Sequence, residues 1–539
     1  MQAYRRLALG SLSTLTTILI AACGGTTSVD DTNNGGQLNE STCSYQYTAT
    51  TAGTAVGIDP LLSMQWHILN TGQFGGIPGE DVRVDGAWGI TRGENVRVAV
   101  VDDSLEVTHE DLVPNVVPGG SYNYRPARRG NAFPLPCELS DDHGTAVGGI
   151  IAARDDNALG GSGVAPKSDL VGFNALSTAT DADIADALGR DINIIGVYNN
   201  SWGARDDGVL NPSGNVFEQA ILDGIETGRA GKGAIYVFPA GNGGCLQPNC
   251  DRENSNYDGY VNKLGVITAC AFDNRGKQPV YGERGANILL CGPSSTSNFV
   301  ATITTTGLEN TYRSDFNGTS ASTPMVSGVI ALMLSANPDL TWRDVQQILA
   351  KTARKNDPTD PEWSFNFGLN HNPKFGFGAV DAASAVSAVT DPAWTSVGGS
   401  SSQISCGPYN SSPNAALTDA VASNPSPVIT PFNDSVPISG CAISNIEFVE
   451  IRLTVNHSAG GSLRVVLTSP NGLVSTLATE RTCVGPTSVD NCGTYDDWQF
   501  GSVRHMDEPV SGNWTLTVAD AKPGVTGVFQ DWSIKFYGR

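Results

Sequence analysis

Asn317-Gly318-Thr319-Ser320-Ala321-Ser322-Thr323-Pro324 sets a hydroxyl among small residues at the mouth of an apolar segment. Between residues 320 and 335 the chain carries Met325, Val326, Val329, Ile330, Leu332 and Met333 on nearly every helical face. This predicts a buried helix whose first turn points into a site. A helix N-terminus favours developing negative charge. Ser320 is therefore a candidate nucleophile, although a Gly-Thr-Ser-x-Ser string is by itself a common helix start.

A serine hydroxyl needs a base, and the base needs an orienting carboxylate. Residues 95–103, Asn-Val-Arg-Val-Ala-Val-Val-Asp-Asp, read as a buried strand delivering Asp102 at its carboxyl edge. Residues 141–153 place His143 before a small-residue helix. Residues 234–244, Ala-Ile-Tyr-Val-Phe-Pro-Ala-Gly-Asn-Gly-Gly, read as a second buried strand opening into a Gly-rich loop, where the Asn242 amide can donate to an oxyanion. Each piece alone reads more readily as a turn, a cap or a loop. Together they run Asp, His, Asn, Ser, which is the chain order of subtilisin rather than of chymotrypsin or the α/β-hydrolases.

From about Asp59 onward the chain resembles the subtilisin-like serine proteases, and within them the kexin/furin branch of proprotein convertases. The resemblance rests on Val101-Asp102-Asp103 with His109-Glu110-Asp111-Leu112, Ser201-Trp202-Gly203 with Asp206-Asp207-Gly208, Gly241-Asn242-Gly243-Gly244, Asn256-Tyr257-Asp258-Gly259-Tyr260, and Ala-Asn-Pro-Asp-Leu-Thr-Trp-Arg-Asp at 336–344. It implies catalysis by Asp102, His143 and Ser320 with Asn242 in the oxyanion hole, and a substrate cleft that includes Ser201, Trp202 and Gly203. Asp258 and Asp206 match the acids lining the pocket for the residue before the scissile bond. Asp103 and Asp141 match those of the next pocket. The implied activity is a serine endopeptidase cutting after basic, preferably paired basic, residues. Ile184 and Pro212 stand where the branch usually has acids demanding a further basic residue. Ser104 replaces the usual Gly after the acid pair, which would strain the backbone if φ had to be positive.

The resemblance also implies calcium, held by oxygen ligands. One set is Asp59, Asp111 and Asn157 with Leu159 and Gly161 of the loop 154–161; the other is Asp206, Glu253 and Glu283.

Alternation of strand-like and helical runs between residues 59 and 390 predicts an α/β domain with a parallel sheet and helices on both faces. The Thr341-x-x-Asp344 pattern is a capping-box start. Residues 396–435, rich in Ser, Pro, Asn and Gly, read as a boundary or irregular linker. Beyond residue 438, alternating strands at 447–455, 462–468, 514–518 and 532–537 predict an all-β sandwich or jelly roll. Leu467-Thr-Ser-Pro-Asn-Gly472, Gly512-Asn-Trp-Thr-Leu516 and Asp531-Trp-Ser-Ile534 resemble the P (Homo B) domain of convertases, so residues 396–539 are assigned to a linker and that domain.

Residues 1–22, with Arg5, Arg6 and an apolar stretch to Ile20, read as a secretory signal peptide. Cys23 after Ile20-Ala21-Ala22 resembles a bacterial lipobox, which implies a lipidated Cys23, a polar tether over 23–58 and an exported cell-envelope protein; a secreted form is the alternative. The chain holds 11 cysteines, so an even number remains for disulfides once Cys23 is lipidated. Cys245–Cys250 and Cys483–Cys492 are local candidate pairs, and Cys270 can reach Cys291 if residues 266–271 and 286–290 are neighbouring strands. Cys43, Cys137, Cys406 and Cys441 stay unassigned. The span between Cys23 and Asp59 leaves no room for the usual propeptide, so a separate folding chaperone is expected, or support from the P domain and calcium. A formal charge of −22 argues against nucleic acid or anionic lipid headgroups as partners. Two further readings stay open: a broad-specificity protease, and an adhesion protein with a degenerate protease domain.

Overall fold

Runs such as Val98-Ala99-Val100-Val101 and Ile235-Tyr236-Val237-Phe238, apolar on both sides of the pleat, suit strands covered on both faces. The computed structural model describes residue 43 and residues 56–244, 253–424, 426–483 and 492–539. The signal peptide, Cys23 and the Cys245–Cys250 pair lie outside these described residues.

Six strands form the central sheet: β1 (Arg97–Val101), β2 (Asp169–Phe173), β3 (Ile195–Asn200), β4 (Ile235–Pro239), β5 (Val266–Phe272) and β6 (Ile288–Pro293). Their order is β2-β1-β3-β4-β5-β6, and every neighbouring pair is parallel. The helices are α1 (Asp85–Trp88), α2 (His143–Ala152), α3 (Asp181–Gly189), α4 (Asn215–Gly231), α5 (Thr319–Ala336), α6 (Trp342–Thr352) and α7 (Ala382–Thr390).

Strand alternation shows that both faces are covered. Tyr198 Oη donates to Arg190 O beyond α3, and Tyr236 Oη donates to Leu188 O within it. Their neighbour Asn199 faces the other way and accepts from Ser327 of α5 at 2.7 Å. By length and composition α5 could cross a membrane, yet it packs against α2 and β3 to β6, 89% buried. Gly318 precedes it with φ 74°, a conformation open to a residue without a Cβ. The predicted capping box is formed: Thr341 and Asp344 bond each other's backbone N–H at the start of α6.

Beyond two hairpins, β7 (Ile303–Thr306) with β8 (Tyr312–Phe316) and β9 (Ser364–Asn366) with β10 (Leu369–His371), the chain forms an antiparallel sandwich. Its strands are β11 (Ile404–Ser411), β12 (Ala415–Ala416), β13 (Phe432–Ile438), β14 (Ile446–His457), β15 (Leu463–Thr468), β16 (Val474–Ala478), β17 (Tyr495–Ser502), β18 (Gly512–Asp520) and β19 (Gly527–Gly538). One sheet runs β11-β19-β14-β17 with β12 against β19, the other β13-β18-β15-β16, around Leu453, Val465, Trp514, Leu516, Trp532 and Phe536. The stretch read as irregular therefore holds β11, β12 and the start of β13. β11 is a largely exposed edge strand with only β19 beside it, so it needs no apolar alternation and left no periodic signal.

The two domains are joined by buried polar contacts. Arg343 of α6 donates through Nε and Nη2 to the two carboxylate oxygens of Glu447, both at 2.7 Å. Asn256 accepts from Gly501 N–H at 2.7 Å, and Arg481 reaches Gly208 O at 2.6 Å while stacking over Tyr257. Cys270–Cys291 joins register partners on β5 and β6, and Cys483–Cys492 closes as expected. The unassigned four pair as Cys43–Cys137 and Cys406–Cys441.

Candidate active site

The functional side chains lie where parallel strands end and helices begin, the usual location in open α/β sheets. Asp102 follows β1, is 1% exposed, and faces His143 at the first turn of α2. Its two oxygens lie 2.9 and 3.1 Å from His143 Nδ1. Burial by itself would lower the pKa of His143, but the charges of Asp102, Asp103 and Asp142 outweigh it and raise the value to about 9. Gly144 is required here, since a Cβ on it would sit 2.0 Å from Ser104 O. Ser104 has no positive φ and donates to Asp141 O at 2.7 Å, so the expected strain is absent.

Ser320 is the second residue of α5. Pro324 has no N–H to give to the carbonyl four residues back, and Ser201 Oγ supplies that hydrogen bond to Ser320 O at 3.1 Å. Ser320 Oγ in turn lies 3.1 Å from Ser201 O, while the buried His143 Nε2 has no hydrogen-bond partner. Bonds between nucleophile and base often tighten only with substrate present. Asn242 accepts from Thr319 N and Oγ1 at 2.8 and 3.0 Å, so its NH2 is the group suited to an oxyanion.

Trp202 is held by Val101 O at 2.9 Å and packs on Phe238 and Tyr260. Behind Gly203, Asp258 accepts from the N–H groups of Ala204 (2.9 Å) and Tyr260 (2.7 Å), and burial raises its pKa to about 6. A Cβ on Gly203 would meet Asp258 Oδ2 at 2.7 Å, so glycine leaves that carboxylate accessible. Asp103 accepts from Gly144 N at 2.9 Å and His143 N at 3.3 Å, capping α2; burial and Asp102 raise its pKa to about 7. Asp141 is paired with Arg125 at 2.6 Å. Ile184 is buried in α3, and Pro212 follows Asn211, which forms a bridge to Asp258.

Asp59, Asp111 and Asn157 converge. Asp59 accepts from Asp156 and Asn157 N–H at 3.0 and 3.1 Å. Asn157 Nδ2 donates to Asp111 at 2.7 Å, its oxygen accepts from Leu159 N, and Gly161 N reaches Asp111 at 3.4 Å. Burial raises the pKa of Asp111 to about 7. Asp206, Glu253 and Glu283 form a second cluster, with Glu253 and Glu283 buried and Asp206 at its exposed edge; desolvation and mutual repulsion push the carboxyl groups upward, Asp206 to about 7. Among the described residues no group of three or more His, Cys, Asp or Glu side chains stands as a formed metal centre. Both clusters nevertheless bring hard oxygen donors together, and the first needs the Asn157 amide to turn so that its oxygen faces Asp111.

The sequence reading missed three arginines that organise this region: Arg125 on Asp141, Arg481 beneath Tyr257, and Arg343 at the domain junction. An isolated arginine carries no spacing signal.

This constellation is that of a subtilisin-like serine endopeptidase. Residues 93–369 match the subtilase family model and residues 446–536 the proprotein convertase P-domain model, and the chain belongs to the subtilase family. It is 34% identical over 493 residues to a dibasic-processing endoprotease of Schizosaccharomyces pombe, covering 89% of this chain and 65% of that protein. Human proprotein convertase subtilisin/kexin type 7 is 33% identical, with coverage of 89% and 60%. The chain thus spans under two thirds of the length of these relatives. The solved serine protease of Aeromonas sobria superposes with a TM-score of 0.75 at 25% identity, covering 92% of this chain and 98% of that one; its complex with the chaperone ORF2 gives 0.76 at 26%, with the same coverage.

Proposed function

We propose that this enzyme is an exported, calcium-dependent endopeptidase that cuts after basic residues, with paired basic sites preferred. The observation that carries the specificity is the partly desolvated Asp258 carboxylate behind Gly203, next to the Ser201-Trp202-Gly203 segment. A carboxylate held by two backbone N–H groups forms strong charge-assisted bonds to a guanidinium or ammonium. Asp206 adds negative charge beside it, and Asp103 offers a carboxylate to the penultimate residue. The dibasic-processing relative supports this reading.

In the mechanism, His143 takes the Ser320 proton as the hydroxyl attacks the carbonyl, held in its tautomer by Asp102, and returns it to the leaving amine. Asn242 and the Ser320 N–H stabilise the tetrahedral oxyanion, and water then releases the acyl-enzyme.

Asp59, Asp111, Asn157, Leu159 and Gly161 would hold one calcium ion and Asp206, Glu253 and Glu283 another. Bound calcium would offset the repulsion among the buried acids. The lipobox-like Cys23 supports attachment to the cell envelope, and the chaperone complex of the Aeromonas relative supports a folding partner.

The test is a peptide-library cleavage profile with wild type and Asp258→Asn. Truncating one partner of a buried charge pair costs roughly 2–5 kcal/mol, or about 30- to 5000-fold in kcat/KM, for Arg and Lys substrates alone. Equal loss on all substrates, or a wild-type preference for Leu or Phe before the cut, would replace this reading with a broad-specificity protease.

A further inference from the structure

Two acids flank the catalytic histidine, and their surroundings differ. Asp103 caps α2 through backbone N–H groups and has no Lys or Arg partner among the described residues. Asp141, two residues before His143, already holds a cation. Its Oδ2 accepts from Arg125 Nη2 at 2.6 Å, from Cys137 N at 2.9 Å and from Glu138 N at 3.2 Å.

The arrangement is fixed from both sides. Arg125 N–H donates to Asn123 Oδ1 at 2.9 Å, beside the short turn Pro126–Arg128. The loop carrying Asp141 is pinned by the Cys43–Cys137 disulfide and by Ser104 Oγ on Asp141 O. The Arg125 and Asp141 side chains are 17% and 22% exposed, so their attraction is less screened than that of a surface pair.

We propose that Arg125 is a resident cation of the pocket for the penultimate residue, so that Asp103 alone receives a basic side chain there and Arg125 limits selection of paired basic sites. This rests on the assignment of Asp103 and Asp141 to that pocket under the proposed function. An incoming Lys or Arg must share Asp141 with a like charge or displace it, and either one erodes the electrostatic gain.

The experiment compares kcat/KM for two peptides that share Arg before the cut and differ only in Arg or Ala at the penultimate position. The ratio is independent of the fraction of folded enzyme. Arg125→Gln should raise it about 10-fold or more, whereas Arg125→Lys should change it less than about 3-fold. Adding Asp141→Asn to Arg125→Gln should abolish the gain. A ratio within about 3-fold of wild type in Arg125→Gln, or a gain that survives Asp141→Asn, overturns the proposal. The Arg-versus-Leu ratio at the residue before the cut, read on the same enzymes, reports separately on the Asp258 pocket. A normal Arg preference there with no penultimate gain rejects Arg125 alone, and a missing Arg preference with a penultimate gain rejects the Asp258 reading alone.

Discussion

Ser320 and Ser201 hold each other by reciprocal hydrogen bonds, each hydroxyl 3.1 Å from the other's backbone carbonyl. The pairing complements Pro324, which has no N–H to give to Ser320 O four residues back. Ser201→Ala should remove that hydrogen bond to the buried Ser320 carbonyl, costing roughly 0.5–1.5 kcal/mol of stability and lowering kcat as the backbone of the nucleophile is held less firmly. Thermal melts and single-substrate kinetics on the same preparation check both effects. Ser320→Ala also deletes its half of the pair, so a modest drop in melting temperature should accompany a fall to less than about 10⁻³ of the activity.

The raised pKa of His143 fixes the sign of the pH dependence. The base works only when neutral, so a value near 9 means that kcat/KM climbs with pH through the neutral range and levels off above about 9. Asp103→Asn removes one of the charges that raise it and should move this limb to lower pH. A pH profile with a neutral-residue substrate measures it; a limb that moves upward contradicts the electrostatic assignment.

Asn242→Leu keeps the approximate volume but removes the amide. Loss of one oxyanion donor typically lowers kcat about 10²- to 10³-fold, with KM little changed. Because Asn242 also accepts from Thr319, a modest drop in melting temperature should accompany the kinetic loss.

The Arg343–Glu447 pair, with 0% and 6% side-chain exposure, couples the two domains. Glu447→Ala leaves a buried guanidinium without its carboxylate and should destabilise by about 3–5 kcal/mol. The double replacement Arg343→Met with Glu447→Leu should recover much of that loss in calorimetry, since the buried guanidinium goes with its carboxylate and Arg539, which also pairs with Glu447, keeps Asp507.

Chelation should lower the melting temperature of wild type, because an ion that binds only the native state stabilises by mass action. The decrement should shrink in Asp111→Asn or Glu283→Gln, which weaken one cluster each. Identical melts with and without chelator would reject exchangeable calcium.

The primary structure by itself determined the strands that lead to Asp102 and Asn242, the helices whose first turns carry His143 and Ser320, and the sandwich that follows. Strands covered on both faces and helices buried all round need continuous apolar runs, and such runs are visible without coordinates. The Thr341–Asp344 cap was legible for a similar reason, being a contact over three residues. The edge strand β11 was not, since a strand exposed along most of its length has no buried face to impose alternation. Nor could spacing pair Cys43 with Cys137 across 94 residues, set Arg125 on Asp141, or bring Arg343 to Glu447. Those relationships depend on where the folded sheet carries distant loops. Composition can say that a charge exists, but only tertiary structure decides which opposite charge it meets and how much water lies between them.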